Sequence, residues 1–377
     1  MFNYLRRLTG AAPPKANDRI RKDPHVPMTR RGELITRFSA GFIGAVDTAL
    51  AVEESERWQN AGEWLDTLRG KVARSVAEKA EQQRLADLAA AEVAKVINAT
   101  KDQPFVNSLG MKFVPVGKPS LLFGVWLTRV KDFEAFVNAT GYDAIKDRPN
   151  GMLADTLEKK WGGATWKQAG GTWRDPRFPP GHGQNGEHPV VCVSFLDAEA
   201  FCAWLTKRDA AKLPSGWRYR LPTDEEWSTA CGPGEFPWGD SYPPGPKDGN
   251  YSGTDTMIGP LQGRSNEFSK VGRSDGWART APVGSFTPNR YGLFDMGGNA
   301  WEWCGTWYKS SMNTAEALKA YPALKEDGGG QTARVLRGGS WYNSVRVRVR
   351  SAFRNYDNPR YRSGSCGYRV VLVGGGD

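Results

Sequence analysis

Five cysteines (Cys192, Cys202, Cys231, Cys304, Cys366) and three histidines (His25, His182, His188) are the side chains of this chain best suited to soft-metal or nucleophilic chemistry. No two cysteines form the Cys-x-x-Cys pair that zinc or dithiol redox sites use, and their number is odd, so free thiols are expected. Cys192 falls in the apolar run from Pro189 to Phe195 and Cys202 in the helix-like stretch from Ala198 to Leu205, which suits small buried hydrophobes. No His-Glu-x-x-His, no nucleophile elbow and no phosphate-binding glycine loop ending in Lys-Ser/Thr occurs.

The elements that would position any site change character along the chain. Of 377 residues, 39% are hydrophobic and 24% charged, with 15 Trp, 44 Gly and 24 Pro, a globular, aromatic and turn-rich composition. The formal net charge of +10 favours anionic partners in general, but it bears on steering and solubility and leaves nucleic-acid binding a minor reading. Residues 1–31 read as a basic flexible arm broken by Pro13, Pro14, Pro24 and Pro27. Residues 32–100 read as two or three helices, with Trp64, Leu65, Leu68, Val72 and Val76 at helical spacing. Within them, 75–96 suits a helical hairpin with Leu85, Leu88, Val93 and Val96 on a narrow stripe. From about 105 to 377 short apolar runs alternate with Gly, Pro, Asn and Asp, with helices expected at 132–140, 194–209 and 223–231. Ser194 stands three residues before Asp197, and Thr223 three before Glu226, the capping-box arrangement. Residues 232–290 read as mostly loop. No stretch reaches about 18 apolar residues and no cleavable leader is legible, so the expectation is a cytoplasmic chain without a membrane span.

Ordered motifs punctuate the last two-thirds: His188-Pro-Val-Val-Cys-Val-Ser194, Tyr219-Arg-Leu-Pro-Thr-Asp-Glu-Glu-Trp227, Phe236-Pro-Trp-Gly239, Tyr291-Gly-Leu-Phe-Asp-Met-Gly-Gly-Asn-Ala-Trp-Glu-Trp303, Arg337-Gly-Gly-Ser-Trp341 and Gly367-Tyr-Arg-Val370. In this order and spacing they resemble the formylglycine-generating, sulfatase-modifying family. The resemblance implies an α+β domain, an elaborated C-type lectin fold with little regular structure.

Enzymes of that family use two cysteines just after the Gly-Gly-Ser-aromatic motif to bind copper, a soft-ligand site. Here Asn343 stands where the first would fall, and no cysteine follows before Cys366, so no copper is expected. A related iron-dependent branch needs a three-histidine site, which these scattered histidines do not supply. The resemblance also implies two calcium-like constellations: Asn250 and Asp275 with the carbonyls of Tyr251 and Trp277, and Asn299 with Glu302 and nearby carbonyls. A hydrogen-bonded brace without metal is the competing reading of Asn299 and Glu302.

The stretch 342–366 is mostly Arg, Ser, Tyr, Asn and Val, and lacks Lys, Glu, Gln, Met, Trp, Leu, Ile, Thr and His. Such residues suit adaptable binding faces. Randomising the adenines of an Asn AAY codon reaches Tyr, Ser, Asp, Gly, Cys, Arg, Val and Phe but never Lys, Glu, Gln, Met or Trp. The stretch therefore resembles the variable region of a protein diversified by a diversity-generating retroelement. By that resemblance Tyr342, Asn343, Ser344, Arg346, Phe353, Tyr356, Asp357, Tyr361, Ser363, Gly364 and Ser365 would contact an unknown ligand, expected to be a protein. The alternation of Val345, Val347 and Val349 with arginines also reads as a half-buried strand. The expected function is non-catalytic ligand binding; the alternative is a divergent sulfatase-modifying-type domain with a fixed partner or residual oxidase activity.

Overall fold

A computed structural model describes the backbone over residues 61–144, 154–160, 163–320 and 332–375, and side chains over 77–144, 171–259, 261–320 and 332–375. The basic arm and residues 32–60 lie outside the described residues. The chain divides into two units, Met1–Ala90 and Ala91–Asp377.

In place of the expected hairpin, helix α1 runs unbroken over Ala61–Ile97. It contains no proline and no turn cluster, and Gly70, its one glycine beyond the first turn, costs about 1 kcal/mol, too little to end a run of Ala, Leu, Glu, Lys and Arg. Of the proposed stripe, Val96 is buried in the second unit's core, whereas Leu85 and Leu88 are exposed.

The second unit is built on a five-stranded antiparallel sheet in the order β1 (Phe105–Val106), β2 (Lys112–Val116), β3 (Lys118–Gly124), β11 (Val371–Val373) and β6 (Arg218–Arg220). Its central strands are buried on both faces. Leu122 and Leu372 point into a core shared with α2 (Val130–Thr140) and α3 (Phe195–Asp209), while Leu121, Phe123, Val371 and Val373 point into a second core with Trp227 of α4 (Asp224–Cys231). This is the period-two alternation of a strand with two packed faces. The last strand is thus central, held between β3 and β6.

Both capping boxes form. Ser194 Oγ accepts from Asp197 N at 3.2 Å while Asp197 accepts from Ser194 N at 2.7 Å, and Thr223 and Glu226 repeat the pattern at 3.2 and 2.8 Å. Helices α3 and α4 therefore start where the hydroxyl-to-acid spacing places them.

A second sheet runs in the order β10 (Cys366–Gly367), β7 (Trp301–Trp307), β8 (Arg334–Arg337) and β9 (Asn355–Asp357). A separate hairpin pairs β4 (Ala154–Lys160) with β5 (Gly163–Gly171). Between 232 and 300 the described backbone is loop apart from a 3-10 turn at Gly259–Leu261 and the short helix α5 at Glu267–Lys270. The strand expected at 345–350 does not form. Arg346–Val349 is a 3-10 turn, closed by Arg348 N donating to Val345 O at 2.9 Å, with Val347 and Val349 buried and Val345 exposed. Among the described residues no helix is long and apolar enough to cross a membrane.

Candidate ligand-binding site

The C-terminal stretch leaves β8 through Arg337-Gly-Gly-Ser-Trp341. Gly338 has φ +89°, and a Cβ there would sit 3.2 Å from both the Met296 carbonyl and the Trp227 ring, so only glycine fits without displacement. Arg337 is fully buried, lies 4.3 Å over the Trp227 ring, ion-pairs Asp224 and donates to Ser351 O at 2.6 Å. Trp341 Nε1 donates to Gly364 O at 2.9 Å, joining the beginning of the stretch to its end.

Asn343, at the expected position of the first copper-ligand cysteine, is a turn brace. Its Oδ1 accepts from Ser340 N and Ser340 Oγ, each at 2.9 Å, and its own carbonyl accepts from Ser252 N at 3.0 Å. Beside it a cleft of about 650 Å³ opens between 342–348 and the 252–266 loop, lined by Tyr342, Ser344 and Arg348 on one side and Ser252, Arg264 and Asn266 on the other. Among the described residues no Cys, His, Asp or Glu lines it. The five cysteines are buried, and burial pushes the Cys202, Cys231, Cys304 and Cys366 thiols up, away from the thiolate form that binds copper. Among the described residues no three of His, Cys, Asp and Glu cluster as metal ligands. His188 is buried against Thr280 (Nδ1 to Oγ1, 3.0 Å), and desolvation lowers its pKa to about 4.

Six of the eleven proposed contact residues are buried, which corrects the expected face. Asn343 and Ser344 are covered at the cleft floor; Phe353 joins the core against Trp301 at 6.1 Å. Ser363, Gly364 and Ser365 form an internal segment. Cys192 N donates to Ser363 O at 2.9 Å, Trp301 N to Ser365 O at 2.8 Å, and a Cβ on Gly364 would lie 3.2 Å from Phe178. The cause is topological, because 363–365 must reach β10 alongside β7 in the core. Arg346 is exposed, and Tyr342, Tyr356, Asp357 and Tyr361 are half-buried. Tyr342 and Arg346 face the 252–267 loop, whereas Tyr356 lies on β9, stacked on Tyr308 at 4.2 Å.

The arginines of the stretch are largely stitched to acids outside it. Arg346 Nη2 reaches Glu235 at 2.9 Å and holds its carboxyl below the usual range; Arg350 also pairs with Glu235 and Glu316, Arg354 with Asp224 at 3.1 Å, and Arg362 bidentately with Asp197 at 2.8 and 2.9 Å.

The calcium constellations do not fit an ion. Asp275 Oδ2 accepts from Arg273 Nη1 at 2.8 Å and Tyr251 N at 2.9 Å, and its Oδ1 from Trp277 N at 3.1 Å. The same guanidinium donates to the Tyr251 carbonyl at 3.1 Å, to Gly249 O at 2.6 Å and to Pro244 O at 3.2 Å, so Arg273 stands among the oxygens a cation would take. Glu302 accepts from Arg369 Nη2 at 2.9 Å, Arg369 Nε at 3.0 Å and Trp227 Nε1 at 3.1 Å. Asn299 Oδ1 accepts from Ala281 N at 3.0 Å, with φ +60° at its own backbone. Of the four named side chains only Asn250 keeps an oxygen without a donor. Asn299 and Glu302 make the hydrogen bonds that a brace would make.

Arg264 and the 252–266 wall of the cleft escaped sequence reasoning. They sit in a glycine- and serine-rich loop with no periodicity, and only the tertiary fold brings them opposite Tyr342.

Residues 126–373 match the model of the sulfatase-modifying factor enzyme 1-like domain. The bovine (Bos taurus) formylglycine-generating enzyme is 33% identical over 262 residues, 64% of this chain and 62% of that protein, so the chain spans under two-thirds of that relative's length. The bovine inactive C-alpha-formylglycine-generating enzyme 2 is 32% identical over 213 residues, 54% of this chain and 56% of the relative. Among solved structures, Treponema denticola variable protein 1 is similar at TM-score 0.42 and 18% identity, covering 67% of this chain and 84% of its own.

Proposed function

The chain belongs to the sulfatase-modifying factor enzyme 1-like family, and from that premise we propose that it is a non-catalytic member that binds a ligand through its C-terminal face. The observation that carries this reading is the cleft beside Asn343. Where copper chemistry would need a thiolate, an amide is committed to holding the Ser340 turn, and among the described residues no cysteine or histidine lines the cavity, whose sulfur is the Met257 thioether. The test is incubation with a sulfatase-type Cys-x-Pro-x-Arg peptide, with and without copper. No conversion above buffer background is expected; turnover lost on mutating one of the five cysteines would overturn the reading.

Diversification by a retroelement is the finer part of the proposal. Its support is the residue set of 342–366, reachable from adenine-randomised AAY codons. Burial narrows the diversified surface to Tyr342, Arg346, Tyr356, Asp357 and Tyr361. Flanking DNA carrying a reverse-transcriptase gene and a near-copy of the last coding stretch that differs at adenines is the expected finding. The burial of the other six positions favours the second reading, a divergent domain with a fixed partner, and absence of those DNA elements would promote it.

A further inference from the structure

The cleft beside Tyr342 has an electrostatic character that its surroundings lack. The arginines of the C-terminal stretch just outside it, Arg346, Arg350, Arg354 and Arg362, each meet a carboxylate. Arg264, on the cleft wall, meets none within ion-pair distance among the described residues, and Arg348 lines the same cavity. Behind the wall, Arg279 is 3% exposed, stacks 4.8 Å over Trp341 and spends Nη1 on the carbonyls of Ala278 and Thr256, again with no carboxylate partner among the described residues. Burial raises the Tyr342 phenol above its ordinary value, and the Arg264, Arg348 and Arg279 guanidinium groups pull against that rise. A half-enclosed wall of low dielectric strengthens such a field, because fewer waters screen it.

We propose that this cleft is an oxyanion subsite, in which Arg264 and Arg348 clamp a carboxylate or phosphate group carried by the ligand while Tyr342 and Ser344 donate hydroxyl hydrogen bonds. The proposal rests on the ligand-binding reading of the C-terminal face and names the chemistry that face takes. Planar guanidinium forks match the paired oxygens of either group, and charge-assisted hydrogen bonds are the strong ones. Arg279 does not touch the ligand; its charge sets the potential at the Tyr342 end of the cleft.

The test is titration of the full chain with inorganic phosphate and, separately, succinate, at constant ionic strength made up with chloride, followed by tryptophan fluorescence and confirmed by calorimetry. Saturable binding is expected for at least one anion, weakened about tenfold or more in Arg264→Gln and in Arg348→Gln, the scale of one lost charge-assisted bond. Arg208→Gln, on the exposed face of α3 and remote from the cleft, should bind as the wild type does. Tighter phosphate would assign a phosphorylated ligand, tighter succinate an acidic one. No saturation beyond chloride, or binding unchanged in Arg264→Gln, would overturn the subsite. Arg264 lies on a loop and makes no side-chain hydrogen bond among the described residues, so that variant is informative even where Arg348→Gln fails to fold. Peptide conversion in the same preparation would instead sink the non-catalytic reading, so the two failures are told apart.

Discussion

Phe353 sits in a stretch whose composition favours contact with a partner, yet its side chain is 4% exposed and packs on Trp301. Truncation to Ala should therefore cost about 3–5 kcal/mol, from lost transfer energy and the cavity left behind. Tyr342→Ser, at the half-buried rim of the cleft, should cost about 1 kcal/mol or less, because little packed volume is removed. Denaturant melts of the two variants check this contrast, and equal losses would contradict the division between core and cleft. Composition shows which residues can serve a binding face, but not which are turned inward. That is decided by Trp341 reaching back to Gly364 and by Ser363 and Ser365 accepting backbone bonds from Cys192 and Trp301, contacts between positions far apart in the chain. That Asn343 stands where the family's first copper-ligand cysteine is expected could be read from the sequence, because it depends on one residue type at one place.

At the scale of elements, legibility follows the range of the forces involved. The starts of α3 and α4 could be read because a capping box is satisfied within four residues. The valine alternation at 345–349 misleads for the opposite reason: a period-two pattern marks inward and outward sides, and a 3-10 turn that buries Val347 and Val349 satisfies it too. The loops from 244 to 284 depend on a longer-range device, the buried Arg273 guanidinium that ties Pro244, Gly249, Tyr251 and Asp275 together and lies 5.5 Å over the Tyr251 ring. Removing one partner of a buried pair leaves an unmatched charge, so Arg273→Met should destabilise by about 3–5 kcal/mol. Because that guanidinium and Arg369 already pair with Asp275 and Glu302, a chelator should leave the wild-type melting temperature unchanged. Thermal melts with and without chelator check both statements; a drop of several degrees in chelator would show an ion contributing where the arginines stand.

Across the second unit, chain order and spatial order are opposed in a way that makes the end of the chain structural. After β8 the backbone runs through the cleft turn, β9, the buried 363–365 segment and β10 before entering the five-stranded sheet as β11, between β3 and β6. Val370 to Val373 are fully buried, and Arg369, also fully buried, is the bidentate partner of Glu302. A chain ending at Cys366 would lose the central strand and leave both β3 and β6 with unpaired edges inside two cores. It would also strip Glu302 of its counter-ion. Its expected behaviour is loss of the cooperative melt and binding of hydrophobic dye. The N-terminal side differs, since residues before Ala91 belong to the other unit and the helix contributes Val96 to this core from beyond that boundary. A chain beginning at Ala91 should keep a single cooperative transition, with any anion binding by the Arg264 cleft intact. Calorimetry of the two truncations gives the decision. If the chain starting at Ala91 unfolds without cooperativity while the chain ending at Cys366 melts normally, the central role assigned to β11 is wrong.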